Sequence, residues 1–297
     1  MRWQHQRRSD NVRNRRGQSS RARGMGGSGL IFMLIRFVFT RFGIGGIAVL
    51  AGGYFTLQAM GLNPMAMLAG GGAPQVGSSA SPPTSKYDEM IRAVVGSTED
   101  IWADIFEEEG LGDYPEPILN LFSNGVNSAC GYAPSDVGPF YCPGDRQIYI
   151  DTAFFQDLQR RFNAPGDFPP AYVIAHEVGH HVQTVTGAMA DIRQAQSRAS
   201  KVEKNQINVR MELQADCYAG LWAHRWRQGI EAGDIQEALR TAAAVGDDTI
   251  QRQAGQRVTP ENFTHGTSAQ RQRWFTVGYE SGEYTACDTF GVSAAQL

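Results

Sequence analysis

Three of the six histidines in this 297-residue chain fall within six positions, in Ala175-His176-Glu177-Val178-Gly179-His180-His181. On a helix, residues four apart stand nearly one above the other, so His176 and His180 converge their imidazoles on one point off a single face. Two imidazoles are half of a tetrahedral zinc site. Glu177 follows the first of them directly, a position from which a carboxylate reaches a water at the metal without being a ligand. The same residues could form a solvated helix face. Against that stand the flanking Val173, Ile174, Val178 and Val182, and a glycine at 179 where a surface helix would carry charge. His181 lies some 100° of helix away from His180 and points off the site.

A second stretch supplies what the first lacks. Glu212-Leu213-Gln214-Ala215-Asp216-Cys217 sits in an apolar, helix-compatible run from about Ser197 to Trp226. Glu212 and Asp216, four apart, share a face, and carboxylates among Met211, Leu213, Ala215 and Ala219 need a partner. A cation held by the first helix is that partner. Glu212 is then the third zinc ligand, and Asp216 accepts a hydrogen bond from the free ring nitrogen of a ligand histidine. The exchanged assignment, Asp216 as ligand and Glu212 as support, is the alternative, and a solvated carboxylate face is the plain one. Three protein ligands leave a fourth position for water, which marks a catalytic rather than a structural metal. The implied cofactor is Zn2+. No cysteine neighbours the histidine cluster in sequence, although Cys217 follows Asp216, so nucleophilic catalysis by a thiol is disfavoured.

The elements that must hold these residues are legible in outline. Tyr87 to Glu109 has helical apolar spacing, with Gly110 as its stop. Cys130 to Asp151 changes to aromatic and β-branched residues around Pro143-Gly144-Asp145, the pattern of a hairpin. Gln147 to Ile150 is either a plain structural strand or an edge strand that holds an extended peptide. Ala164 to Pro170 reads as a loop feeding the motif helix, which starts at Pro169 or Pro170 and ends at Gly187. Further helical patterns cover Ile235 to Val245 and Ala269 to Val277. The fold class to expect is α+β: a mainly helical domain with a small β-sheet, preceded by one transmembrane helix.

That last element comes from the charge distribution. With 42% hydrophobic and 19% charged residues the chain is ordinary for a globular protein, and its net charge is −3. Residues 1–41 nevertheless carry ten arginines against one aspartate, a net +9, leaving −12 for the remainder. From Arg41 to Lys86 no charged residue occurs, and Phe42 to Leu62 is apolar or glycine-rich. A helix of that length spans about 31 Å, close to the hydrocarbon thickness of a bilayer. The expectation is a basic, disordered cytoplasmic tail (1–41), a membrane span (42–62), a flexible Gly/Ala/Ser/Pro linker (63–86) and a body (87–297) outside the cytoplasm. The arrangement to expect is that of a single-pass protein of the bacterial inner membrane. A cleaved signal peptide is the competing reading. The arginine tail could attract nucleic acid, but it has few aromatics and adjoins the span, so anionic lipid is the simpler counterpart and no nucleic-acid partner is expected.

Four cysteines allow three pairings. Cys130 with Cys142 closes a short loop, and Cys217 with Cys287 ties the C-terminal tail to the second helix. Buried free thiols are the alternative.

Taken together, Tyr141-Cys142-Pro143, Ile148-Tyr149-Ile150-Asp151, the run from Ala175 to Gln183, Glu212 to Cys217, Gly246-Asp247-Asp248 and Phe263-Thr264-His265-Gly266-Thr267-Ser268 resemble the bacterial neutral zinc metallopeptidase family (YpfJ-like). The resemblance covers nearly the whole body and not the arginine tail. It implies a zincin-like domain of the Glu-ligand type and peptidase activity on a peptide or protein substrate. Thr264-His265, with Arg271 six positions on, also looks like the Thr-His-Pro…Arg segment of HtpX-type membrane proteases, with Gly266 in place of the proline. By that likeness His265 donates to the developing oxyanion and Arg271 supports it. The alternative is a helix start, with Thr267 or Ser268 as cap and Arg271 solvated. The function to expect is a membrane-anchored zinc endopeptidase with Glu177 as general base. The alternative is a zinc-binding scaffold or interaction protein without turnover.

Overall fold

The computed structural model describes residues 1–17, 86–160 and 166–297. The first helix of the body, α1 (Lys86–Glu108), buries Ile91, Val94, Val95, Trp102, Ile105 and Phe106. These positions form one stripe of a 3.6-residue period. Gly110, at φ 65°, ends it in the left-handed region where glycine is unstrained, and Leu111 N donates back to Phe106 O at 2.9 Å.

The strands are β1 (Val12–Asn14), β2 (Ile118–Phe122), β3 (Gly125–Ser128), β4 (Gly131–Pro134), β5 (Phe140–Cys142) and β6 (Gln147–Asp151). Four of them form a sheet in the order β1-β2-β6-β5, and β3 and β4 form a separate ribbon. β1, β2 and β6 run parallel, while β5 is antiparallel to β6 as the second arm of the expected hairpin. Gln147 to Ile150 is therefore an interior strand, paired on both sides, and the edge-strand expectation for it is corrected. Its run Ile148-Tyr149-Ile150 is buried, as befits a strand covered on both faces. The outer strand next to the histidine helix is β5.

Among the described residues seven further helices follow: α2 (Ala153–Arg160), α3 (Pro169–Val185), α4 (Ala188–Arg198), α5 (Lys201–Arg225), α6 (Asp234–Ala244), α7 (Asp247–Gln253) and α8 (Ser268–Ser281). α3 opens on Pro169 and Pro170, which fit a first turn because its N–H groups have no intrahelical partner. The helix expected from Ser197 divides in two. Ser200 starts α5 afresh with a capping box, its backbone N donating to Glu203 Oε2 at 2.7 Å and its Oγ accepting from Glu203 N. Both disulfides, Cys130–Cys142 and Cys217–Cys287, are present, with Cα separations of 5.8 and 5.5 Å.

Glycines set how closely the central helices approach. A β-carbon on Gly220 of α5 would lie 2.0 Å from Phe275 O, and one on Gly278 of α8 would lie 1.9 Å from Cys217 O. The two helices cross backbone against backbone, and any larger residue at either position would push them apart.

The arginine-rich start of the chain departs from expectation. Residues 1–17 form one compact unit with the body. β1 pairs with β2 and closes that edge of the sheet, and Met1, Trp3 and Val12 are buried. Arg7 pairs with Glu99 and Asp100, Arg8 with Glu89, and Arg16 with Asp88. The segment lies so close that a β-carbon on Gly96 would be 2.8 Å from Arg7 O. Three of the arginines are thus matched by acidic residues of α1. Three corrections follow. The expected fold class, an α+β domain preceded by a transmembrane helix, gives way to a mixed α/β, mostly helical fold with no membrane-crossing helix among the described residues. The disordered cytoplasmic tail does not describe residues 1–17. The single-pass inner-membrane placement does not hold either: it separates residues 1–41 from the body, whereas residues 1–17 are packed into it, and no helix of the described residues is long and apolar enough to cross a membrane. Residues 42–62, where the transmembrane helix was expected, and the linker up to residue 85 lie outside the described residues.

Candidate metal centre

α3 and α5 carry the same spacing of functional and small residues: His176, Gly179, His180 on one and Glu212, Ala215, Asp216 on the other. A β-carbon on Gly179 would lie 3.0 Å from Ala215 Cα, so the helices touch midway between the functional pairs. This contact presses the two imidazoles against the two carboxylates. His176 Nε2 lies 3.1 Å from Glu212 Oε2 and His180 Nε2 lies 3.4 Å from Glu212 Oε1. One donor atom from each of the three residues falls within 4.8 Å of the others.

The other ring nitrogens are engaged elsewhere. His176 Nδ1 faces Asp216 Oδ1 at 2.8 Å, and His180 Nδ1 faces Gln183 Oε1 at 2.9 Å. Each ring therefore turns Nε2 toward Glu212. Two imidazoles and one carboxylate, buried, convergent and oriented by partners behind them, are the donor set zinc takes in sites with an open position, and the residues fit the ion. Of the two orders left open above, this geometry gives Glu212 both Nε2 atoms and gives Asp216 the rear of His176.

Charge coupling is strong here. Burial disfavours the charge on His176, but Asp216 and Glu212 outweigh it and raise its pKa to about 10. Burial opposes ionisation of Glu212 too, yet the two histidines hold its carboxyl well below the ordinary range. Glu177, on the same face of the cleft, goes the other way: burial raises its pKa, only partly offset by His180 and His176.

Behind His176 stands a fully buried cluster. Arg271 donates to Asp216 through Nε at 2.7 Å and Nη2 at 2.9 Å, and Tyr172 Oη donates to Asp216 Oδ1 at 2.5 Å. Against the penalty of burial, Arg271 and His176 hold the Asp216 pKa down to about 2. Arg271 reaches this place because α8 crosses α5 at the paired glycines: Arg271 is two turns before Gly278, and Asp216 one turn before Gly220. The solvated position considered for Arg271 does not occur: its side chain is buried and contributes to the lining of the cleft. The capping alternative does occur, since Thr267 caps α8 with Gln270.

His265 sits across the cleft with half of its side chain exposed. The loop that carries it is tied by Asp247, whose Oδ2 accepts from the backbone N of Thr264, His265 and Gly266 at 2.7, 2.6 and 3.0 Å. The Asp247 carboxylate raises the His265 pKa, with burial working against it.

His176, Glu177, His180, Glu212, His265 and Arg271 line a cleft of about 940 Å3. One wall is the strip from Ser135 to Tyr141, including β5, and apolar side chains come from Phe154, Val173, Met189, Met211, Val245 and Ile250. His181 points away, as expected, with Nδ1 3.2 Å from Tyr141 Oη and Nε2 2.5 Å from Pro115 O. His224 bonds the backbone of α8 at Tyr279 O, and Cys217 is locked in its disulfide.

Four participants have no role in the sequence reading: Tyr172, Gln183, Asp247 and Gln214. Tyr172 lies one turn before His176 and Gln183 three residues after His180, so helical spacing alone places both beside the ligands. Asp247 is distant in sequence, and only the Gly246-Asp247-Asp248 motif singles it out.

The profile of the family described as "Putative neutral zinc metallopeptidase" matches residues 1–290. A protein of Escherichia coli (strain K12) named YpfJ and described as uncharacterized is 44% identical over 301 residues, covering 99% of this chain and 100% of that one. The uncharacterized protein Rv2575 of Mycobacterium tuberculosis (strain H37Rv) is 46% identical over 221 residues, 70% of this chain and 71% of its own. No solved structure matches. With the profile matched from the docked N-terminal strand through the helices of the centre, this chain belongs to the neutral zinc metallopeptidase family that YpfJ represents.

Proposed function

We propose that this protein is a zinc-dependent endopeptidase that hydrolyses peptide or protein substrates laid in the cleft. The observation that carries the reading is the convergence of His176 Nε2, His180 Nε2 and Glu212, with the buried Glu177 lining the same cleft. His176, His180 and Glu212 would hold the ion. When bound, zinc supplies Lewis acidity, which acidifies water and polarises a peptide carbonyl.

The chain's own residues do the rest. Glu177 takes the proton of the attacking water and delivers it to the leaving amine; its raised pKa suits both transfers. His265, held by Asp247 and charged more readily than a free imidazole, donates to the carbonyl oxygen as negative charge builds there. Arg271 contributes by fixing Asp216, and through it the orientation of His176. β5, the outer strand on the cleft side, offers backbone groups to an extended peptide, and the apolar lining receives its side chains.

The test is metal analysis of the purified chain together with proteolysis of an unfolded test protein, comparing wild type with Glu177→Gln. Both should carry one zinc per chain, and hydrolysis should fall about 100- to 10,000-fold in the variant. Equal hydrolysis by the two, or no cleavage by zinc-loaded wild type, refutes the proposal.

A further inference from the structure

We infer that Gln183 and Gln214 form a two-amide relay that dictates which nitrogen of His180 is presented to the metal. The inference rests on the reading of His180 as a ligand and adds two positioning residues to it. The hydrogen-bond polarity can be followed from the far end. The Cys287 carbonyl can only accept, and Gln214 Nε2 donates to it at 3.0 Å. Gln214 is thereby oriented with Oε1 toward Gln183, whose Nε2 donates to it at 3.0 Å. That same Nε2 gives its second hydrogen to the Met211 carbonyl at 2.8 Å, another group that only accepts. Both hydrogens of the Gln183 amide are then used, and its Oε1 is left facing His180 Nδ1 at 2.9 Å. An amide oxygen has no hydrogen to give, so Nδ1 must be the protonated nitrogen and Nε2 keeps its lone pair for the ion.

A flip of either amide would set carbonyl oxygens against one another in a buried place, since Gln183 is 0% and Gln214 9% exposed. The far end of the relay is itself fixed. Cys287 is bonded to Cys217 of α5, and just beyond it Arg210 donates to Val292 O at 2.9 Å. The two ligand histidines are thus oriented by different means: His176 by a carboxylate clamped in an ion pair, and His180 by a neutral amide chain running to the C-terminal turn.

The experiment measures the zinc affinity of the full chain by competition with a chromophoric chelator at fixed pH, with thermal melting of the metal-free form alongside. Gln183→Met, which keeps length but removes the acceptor, should weaken zinc binding about 10- to 100-fold. Gln183→Glu keeps an acceptor for His180 and, protonated, one hydrogen for Met211 O or Gln214 Oε1, and should lose clearly less zinc affinity than Gln183→Met. Gln214→Met removes one of two polarity anchors and should lose less than Gln183→Met. A readout on the wild type covers the case in which Gln183→Met fails to fold: long-range proton–nitrogen correlation of the zinc-loaded protein should identify His180 Nδ1 as the protonated nitrogen. Wild-type affinity in Gln183→Met, equal losses in the Met and Glu variants, or a metal bond at Nδ1 overturns the relay. His180→Ala separates the two readings, because undiminished zinc in that variant would remove the ligand assignment itself, whereas zinc lost there but unchanged in Gln183→Met removes the relay alone.

Discussion

Replacing Arg271 by methionine tests whether this residue holds the centre together from behind. Its side chain is 5% exposed and that of Asp216 is 0% exposed, and the pair shares two hydrogen bonds of 2.7 and 2.9 Å. Arg271 also donates to Val245 O at 3.2 Å. Methionine fills much of the same volume but leaves Asp216 with only Tyr172 and His176 as partners. Deleting one member of a buried ion pair costs about 3–5 kcal/mol. For a body of this size that corresponds to a fall of about 6–20 °C in melting temperature. The assay is urea unfolding of the zinc-free chain, followed by tryptophan fluorescence, which reports on the buried Trp102, Trp222 and Trp226. Asp216→Asn alone should lose a comparable amount, because it strands the guanidinium. The double variant, with both charges gone, should lose less than the two single losses added together by about 2–3 kcal/mol. Strict additivity would refute the argument. So would an Arg271→Met chain with an unchanged midpoint and a lowered turnover, the signature of an arginine acting on substrate.

Two further outcomes are expected. His265 has its pKa raised above 6.5 by the Asp247 carboxylate, so its charged form is stabilised in the folded chain. The contribution of this pair to holding the loop is full below about 6.5 and is lost as pH rises through the folded value. Histidine proton NMR should show His265 titrating above 6.5 in wild type and at a lower pH in Asp247→Asn; an unchanged titration would show that Asp247 does not govern it. Deleting residues 1–17 uncovers the β2 edge and empties the sites of Met1, Trp3 and Val12, and should lower the unfolding midpoint. A synthetic peptide of residues 1–17 added in trans should restore it with increasing concentration, less so at high salt because four arginine–carboxylate contacts are partly exposed. A truncated chain as stable as the full one, or a peptide without effect, would remove the segment from the fold.

What the sequence discloses divides along physical lines. His176, His180, Glu212 and Asp216 are legible because each pair repeats at helical spacing within one element, and local periodicity survives folding unchanged. The hairpin, the motif helix and both cysteine pairs are legible for similar reasons of local turn chemistry and chain closure. The arginine tail misleads because charge composition carries no partner: Arg7, Arg8 and Arg16 read as part of a topology signal until the acidic residues of α1 are seen opposite them. Likewise the edge strand cannot be told from an interior one by its own residues, since what pairs with Gln147 to Ile150 on one side is β2, some thirty residues earlier. Asp247 and the contact of Arg271 with Asp216 depend on helices meeting across the fold, which one-dimensional spacing does not encode.

The way the centre is built constrains its charge. Asp216 lends His176 the pull of a carboxylate, yet its negative charge is matched by Arg271 at hydrogen-bond distance. Gln183 orients His180 with no charge at all. Both supports therefore add almost no net charge behind the ligands, by two unrelated means. Glu212 is left as the one anion among the donor residues, against a divalent ion that the site would hold. A second uncompensated carboxylate at either support would drain positive charge from the place where, in the proposed reaction, water is acidified. On the proposed reading, the buried guanidinium of α8 serves the chemistry as well as the fold. The glycine contact between α5 and α8 is part of the same condition, because without it Arg271 could not reach Asp216.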